Sequence, residues 1–318
     1  MRVYQRMLSG QASYVAVRPM HGLANRLRAY CSAAAYARQT KRELLVVWEP
    51  DIHSHTRFTE LFEPADGVAI LSSARAGLFP AELWKWYNHM QPDKARKRNP
   101  VAADSSDADG RSLYVTTAYK LETEPPLDGA LYSDCLRSLQ PVAAVRAMLL
   151  PREPPNGLST LIGVHVRMMV NQSLDVPGID ADARTDSNLR MMNEAVVYRE
   201  ACHFAYFVAS MRAVLKAQPS ARFYLAADSD EAYDGVMSSF EPGVVRTLSS
   251  PVMRECGAAN EGAALRGPTK GLAAGRRALA CQQAALADLL NLASTKQLLL
   301  SHCARTQRGH TFGALPTC

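Results

Sequence analysis

A chain of 318 residues that is 47% hydrophobic and 21% charged is too apolar for disorder and long enough for two domains of ordinary size. Its net charge of +6 suits a small anionic ligand and is too diffuse to mark a nucleic-acid binder. No apolar stretch reaches the length of a membrane span, and Met1–Gly10 carries arginines without the apolar segment of a secretion signal.

The first strand begins near Ser13 and includes Tyr14-Val-Ala-Val17. Gly22-Leu-Ala-Asn-Arg26 reads as the turn into a helix over Leu27–Gln39, and Glu43–Trp48 as a second buried strand stopped by Pro50. Strand, glycine turn, helix and strand make a βαβ unit, which implies a parallel sheet with right-handed crossovers. Gly67–Leu71 is another short strand. Residues 91–112 read as an exposed loop, and its basic run Lys94–Arg98 lacks the interleaved aromatics of a single-strand binder. Pro151-Arg-Glu-Pro-Pro-Asn-Gly157 has the composition of an interdomain hinge.

After the hinge the rhythm resumes. Leu161–Arg167 is a β-branched strand, and a helical pattern runs from Met191 to Ala217. Arg222–Ala227 is a strand closed by Asp228-Ser-Asp230, a polar turn that starts the next helix. Gly243–Leu248 reads as a strand, 251–275 as an irregular loop, Arg277–Leu292 as a helix and Gln297–Leu300 as a last strand entering Ser301. The expected architecture is therefore two α/β domains, 1–150 and 157–318, facing each other across a cleft. Seven cysteines without a Cys-x-x-Cys pair predict mostly free or buried thiols, with one or two disulfides possible. Cys202-His203 has no second ligand pair to complete a metal site, so no metal is expected.

Alternate residues of a strand share a face, so His165 and Arg167 project together while Val164 and Val166 face the other way. An imidazole and a guanidinium at a strand's carboxyl end form an anion site, where open α/β sheets bind ligands. The same residues also fit an arginine leaving a core strand for solvent beside a hydrogen-bonded histidine. The Gly22–Arg26 turn offers backbone N–H groups and a helix dipole to a phosphate or sugar oxygen. Gly22 admits close approach, Asn25 adds a neutral donor and acceptor, and Arg26 adds a charge; a tight turn capped by Asn25 is the plainer reading. No G-x-G-x-x-G fingerprint or Walker lysine is present. Asp228 and Asp288 each supply a carboxylate able to take the paired bonds of a guanine edge or ribose diol, or else sit at a helix cap or surface. Ser301 and Thr306 lie where a second phosphate cradle could follow the last strand.

Gly22-Leu-Ala-Asn-Arg-Leu-Arg28 with Leu44-Leu-Val-Val-Trp-Glu-Pro-Asp51 resembles the amino-terminal signature of the fucosyltransferase-like superfamily. That superfamily includes α1,2- and α1,6-fucosyltransferases, protein O-fucosyltransferases and the rhizobial nodulation enzyme. Gly163-Val-His-Val-Arg167 resembles its HxR motif, Phe223–Asp228 its strand ending in aspartate, and Ala287-Asp288 through Ser301 its final helix and strand. The four blocks fall in the family's order between residues 14 and 305. The resemblance implies a GT-B architecture, two Rossmann-like domains, and an inverting, metal-independent transfer of fucose from GDP-fucose to a glycan or protein hydroxyl. By the same resemblance Arg167 neutralises the departing β-phosphate and His165 supports the pyrophosphate or ribose. Gly22 and Asn25 reach the donor from the first domain, Asp288 pairs with guanine, and Asp228 is the first aspartate of the strand-end motif.

Two departures bear on activity. Met168-Met169 stands where many relatives carry a second arginine and then Gly-Asp, and Ser301-His-Cys-Ala-Arg-Thr306 replaces a Ser-Ser-Phe run. They support an alternative, a non-catalytic nucleotide-sugar or glycan-binding protein on the same fold. A general base is not distinguished among Asp175, Asp180, Glu194 and Glu200. The resemblance implies a lumenal site in the secretory pathway, although no targeting segment stands out in the chain.

Overall fold

The computed structural model describes residues 13–51, 54–65, 67–74, 78–90, 100–102, 112–154, 157–167, 202–248 and 271–299, the stretch 271–278 through its backbone alone. The chain divides into two compact units, Met1–Ala143 and Ala144–Cys318.

The first unit is built on β1 (Tyr14–Pro19), α1 (Leu23–Gln39), β2 (Glu43–Val47), β3 (Ala69–Leu71), β4 (Trp84–Asn88) and β6 (Ser112–Thr117). The short β5 (Val101–Ala102) and β7 (Thr123–Glu124) pair apart from them, and α2 spans Gly129–Ser138. The main sheet has the order β3-β2-β1-β6-β4, and every pairing is parallel. Alternation divides its side chains between two faces. Tyr14, Ala16, Leu45, Val47, Trp84 and Tyr114 join one core with Phe79. Val15, Val17, Val46, Leu113 and Val115 are buried on the other face, where α1 packs against β1 and β2.

The helix starts four residues earlier than its sequence pattern indicates. Gly22 is the N-cap, and its carbonyl accepts from the backbone of Asn25 and Arg26, so the expected turn is already the first helical turn. Four strands and a helix of this unit went unanticipated: β4, β5, β6, β7 and α2. The central strand β6 lies directly behind an Asp/Ser/Gly-rich stretch whose loop character masked it. Asp128 caps α2 by accepting from Ala130 N at 2.8 Å.

The second unit contains α3 (Ala143–Arg146, which straddles the division), β8 (Ile162–Val166), α4 (Phe204–Ala217), β9 (Phe223–Ala227), α5 (Asp230–Met237), β10 (Val245–Arg246), α6 (Gly271–Ala293) and β11 (Gln297–Leu299). Its sheet runs β10-β9-β8-β11, again all parallel. Ile162, Val164, Val166, Phe223, Leu225 and Ala227 pack with Phe207 and Met211 of α4. The opposite face carries Tyr224 and Ala226 against Leu292 of α6. Gly163 shares that face, and a Cβ there would lie 2.6 Å from Leu298 Cδ2 and 2.7 Å from Thr295 Oγ1. A side chain at this position would have to displace those of Leu298, Thr295 and Leu292, so glycine permits the close packing seen here.

Helix α6 begins at or before Gly271, so 271–275 is helical instead of loop; 249–270 lies outside the described residues. The stretches Met191–Ala201, Lys94–Arg98 and Met168-Met169 also lie outside them. The carbonyls of Pro151 and Arg152 accept from Leu158 and Ser159 N–H, so the proline-rich segment folds back within the second unit.

The expectation of mostly free thiols is overturned. Cys31 of α1 and Cys135 of α2 form a disulfide across 104 residues, Cys281 is also disulfide-bonded, and Cys202 is the free, buried one among the described cysteines. A loop of this length predicts roughly 4–5 kcal/mol of stabilisation from chain entropy alone. The pairing joins distant segments, which spacing in the sequence does not reveal.

Candidate functional site

Each sheet has a switch point, where successive strands are laid to opposite sides of the first strand and leave a crevice at the carboxyl ends. In the first unit β1 sits between β2 and β6, and in the second β8 sits between β9 and β11. Gly22, Asn25 and Arg26 follow the first of these strands, and His165, Arg167 and Asp228 stand at the end of the second and of its neighbour β9.

At the end of β1, His21 has a φ of 66°, a left-handed conformation uncommon for a residue with a side chain. Arg26 holds it there. The Arg26 Nε donates to the His21 carbonyl at 2.7 Å and Nη1 to the Glu49 carbonyl at 2.7 Å, while Nη2 lies 2.8 Å from the Asp51 carboxylate. Asp51 also accepts from the backbone of His21 and Ser54. The guanidinium lies over Trp48, 5.3 Å from the ring centre, and the side chain is fully buried. Burial lowers the Arg26 pKa, and Asp51 opposes that shift. Arg26 thus braces the loops after β1 and β2 from behind. A donor contact expected of it has no exposed atom to make it.

Asn25 does not cap the helix; it stands in the first turn, partly exposed, and its side-chain oxygen accepts from Arg28. Gly22 has φ −65° and ψ 165°, open to any residue, and a Cβ there would meet nothing within 4 Å. The fold does not require glycine at this point. Gly22→Ala should therefore leave the melting temperature within about 1–2 °C of the parent. A tenfold or greater loss of nucleotide affinity in the same variant would show that a ligand approaches this backbone, and calorimetry reads both outcomes.

In the second unit, His165 pairs with Ala226 across β8 and β9 and is partly exposed. Arg167 is the first residue past β8 and is exposed. Alternation puts both on the face that carries Gly163, opposite the buried Val164 and Val166. Asp228 follows β9 directly and is partly exposed; the cap of α5 is its neighbour Ser229, which accepts from Ala232 N at 3.2 Å. His165, Arg167 and Asp228 therefore share the carboxyl edge of adjacent strands.

Asp288 is placed differently. It is 5% exposed on α6 and accepts from the Tyr224 hydroxyl at 2.5 Å and from Tyr233. The Asn291 amide donates to Tyr224 at 3.0 Å and accepts from Leu150 N, while the Tyr233 hydroxyl accepts from Ala227 N at the end of β9. This network was not foreseen, because its members are 64 or more residues apart for Tyr224 and α6. Against the expectation of a carboxylate open to a guanine edge, Asp288 fixes the strand end from the interior. Burial pushes its pKa up to about 7, against the two tyrosine hydrogen bonds, and raises those of Tyr224 and Tyr233.

A carboxyl with this shift keeps its proton in the fold at pH values where the unfolded chain has lost it. Stability then falls as pH rises from about 4 to about 7 and is level above, by at most about 4 kcal/mol. Asp288→Asn should flatten that slope in urea-unfolding titrations at pH 4.5, 6 and 7.5; an unchanged slope would remove Asp288 as its source.

Ser301 and Thr306 lie outside the described residues, as do Asp175, Asp180, Glu194 and Glu200. Among the described residues no group of three His, Cys, Asp or Glu is placed to hold a metal ion. Cys202 is buried, and His203 caps α4 through Nδ1, which accepts from Ala205 N.

No protein-family model matches the chain, and no curated protein matches it in sequence. Solved structures do match. The fucosyltransferase NodZ from Bradyrhizobium aligns over 90% of this chain and 87% of its own, with 16% identity and a TM-score of 0.50. The chain shares the fold of this solved enzyme. A point variant of Arabidopsis thaliana FUT1 in complex with GDP is similar over 94% of this chain and 70% of its own, at 14% identity and a TM-score of 0.46. POFUT1 in complex with GDP-fucose is similar over 76% and 86%, at 12% identity and 0.41. In the fucosyltransferase fold of this chain, the expected mixture of parallel strands and crossover helices is present in both units. Among the described residues no helix is long and apolar enough to cross a membrane.

Proposed function

We propose that this chain is a glycosyltransferase that moves fucose from GDP-fucose to an acceptor hydroxyl, with inversion and without a metal ion. One observation carries the reading: His165 and Arg167 stand on one face at the switch-point end of β8, in a chain with a fucosyltransferase fold. The acceptor oxygen attacks the anomeric carbon, the bond to the β-phosphate breaks, and GDP leaves with the electron pair. Arg167 meets the charge that develops on the leaving oxygen, the task a metal ion performs elsewhere. His165 supports the diphosphate. Arg26 and Asp288 hold the two strand ends in shape. The acceptor proton passes to a base or to solvent.

The disulfides fit this reading, since Cys31–Cys135 persists in an oxidising lumen of the secretory type. A second reading, a nucleotide-sugar-binding protein without activity, is favoured by Met168-Met169 in place of the family's arginine and acidic residue. Calorimetric titration with GDP, GDP-fucose, UDP and ADP, followed by assay of GDP release in EDTA, separates them. Binding of GDP and GDP-fucose with EDTA-resistant GDP release supports transfer. GDP binding without release supports the second reading, and preference for UDP or ADP contradicts GDP-fucose as the donor.

A further inference from the structure

Three large hydrophobic side chains are exposed among the described residues: Trp86, Tyr206 and Met237. Trp86 differs from the others in its support. It is 54% exposed on β4, and its ring lies 4.3 Å from Tyr114, which is 1% exposed and itself packs on Phe79 at 4.5 Å. The indole is thus braced by two buried rings, tilted by 38° on Tyr114 and edge-on to Phe79, while about half of the residue stays open to solvent, so little conformational freedom remains to be lost on binding.

What borders the ring is polar. On the same sheet face, one step toward the carboxyl ends, the register lines up Arg18, Thr116 and Asn88 across β1, β6 and β4. Strands lie about 4.8 Å apart, so this row spans about 10 Å, the length of roughly two sugar rings. Arg18 is partly exposed and pairs with Glu49 at 2.6 Å, and the Tyr114 hydroxyl bonds to Arg18 and Thr116. A pyranose has the matching chemistry: a flat face of C–H groups for the indole, and hydroxyls that both donate and accept along its rim. An apolar partner would desolvate the ion pair and the polar row without supplying hydrogen bonds of its own, and one ring is a small patch for protein docking.

We propose that Trp86, with the Arg18–Thr116–Asn88 row, is a sugar-binding subsite, and that the acceptor is a glycan in preference to a protein hydroxyl. Naming the bound sugar as acceptor rests on the glycosyl-transfer reading; the binding of a sugar here does not.

The test is binding of the full chain to a printed array of plant, animal and bacterial oligosaccharides, with calorimetry on the strongest ligand and on an unglycosylated Ser/Thr-rich peptide. The expected result is oligosaccharide binding that weakens at least tenfold in Trp86→Ala, at least threefold in Thr116→Val, and less than threefold in Trp86→Tyr. The affinity for GDP should be the same in all four proteins. Unchanged sugar affinity in both Trp86→Ala and Thr116→Val, no binding to any glycan, preference for the peptide, or a Trp86-dependent dimer in solution overturns the proposal. Sugar binding through Trp86 in a protein that ignores GDP supports this subsite while contradicting the donor reading.

Discussion

Replacing Arg167 with alanine should lower GDP release from GDP-fucose by at least about a hundredfold, the loss of roughly 3 kcal/mol that follows removal of one charged donor from a developing oxyanion. The cause lies in position. Arg167 is the first residue beyond β8, exposed at the switch point of an all-parallel sheet, and it shares a face with His165. Its charge is needed when the glycosidic bond has lengthened, so the effect should fall on kcat more than on the affinity for acceptor. Arg167→Lys keeps the charge and loses the planar fork, and an intermediate rate is expected. Steady-state kinetics with labelled donor read all three proteins. A rate within threefold of the parent in Arg167→Ala would remove this residue from its role.

The second large effect is on stability. Arg26→Ala should destabilise the first unit by about 3–5 kcal/mol, as breaking a buried ion pair commonly does. The substitution removes the counter-charge of Asp51 and frees the His21 and Glu49 carbonyls that the guanidinium satisfies. Arg26→Lys can replace the charge without reaching three acceptors, and should recover part of the loss. Urea unfolding followed by tryptophan fluorescence measures it, because Trp48 lies under the guanidinium. A loss below about 1 kcal/mol in Arg26→Ala would mean that the loops after β1 and β2 do not depend on this brace.

Local pattern revealed the frame. The β-branched runs at Tyr14–Val17, Glu43–Trp48 and Leu161–Arg167, separated by glycine and proline punctuation, identified the first strands of both sheets, and these place the strand-end residues. Strand β6 remained hidden because its neighbours in sequence are loop formers, while its neighbours in space, β1 and β4, are 93 or more and 24 or more residues away. The same reason explains the side chains that were misjudged. Nothing near Asp288 in sequence announces Tyr224 and Tyr233, and nothing near Arg26 announces Asp51 except the acidic end of the Trp48-Glu-Pro-Asp51 segment, which can be read as a partner only once β1 and β2 are paired. The position of Arg167 at a strand's carboxyl end, by contrast, follows from the local Leu161–Arg167 pattern alone.

Hydrogen exchange on the full chain, with and without GDP, tests most directly where the nucleotide docks. Saturating GDP should slow exchange in peptides covering Val164–Arg167 and Ala227–Ser229, and the slowing should disappear in Arg167→Ala. Protection confined to other segments, or protection at these two that survives Arg167→Ala unchanged, would contradict the assignment of this strand end as the diphosphate site.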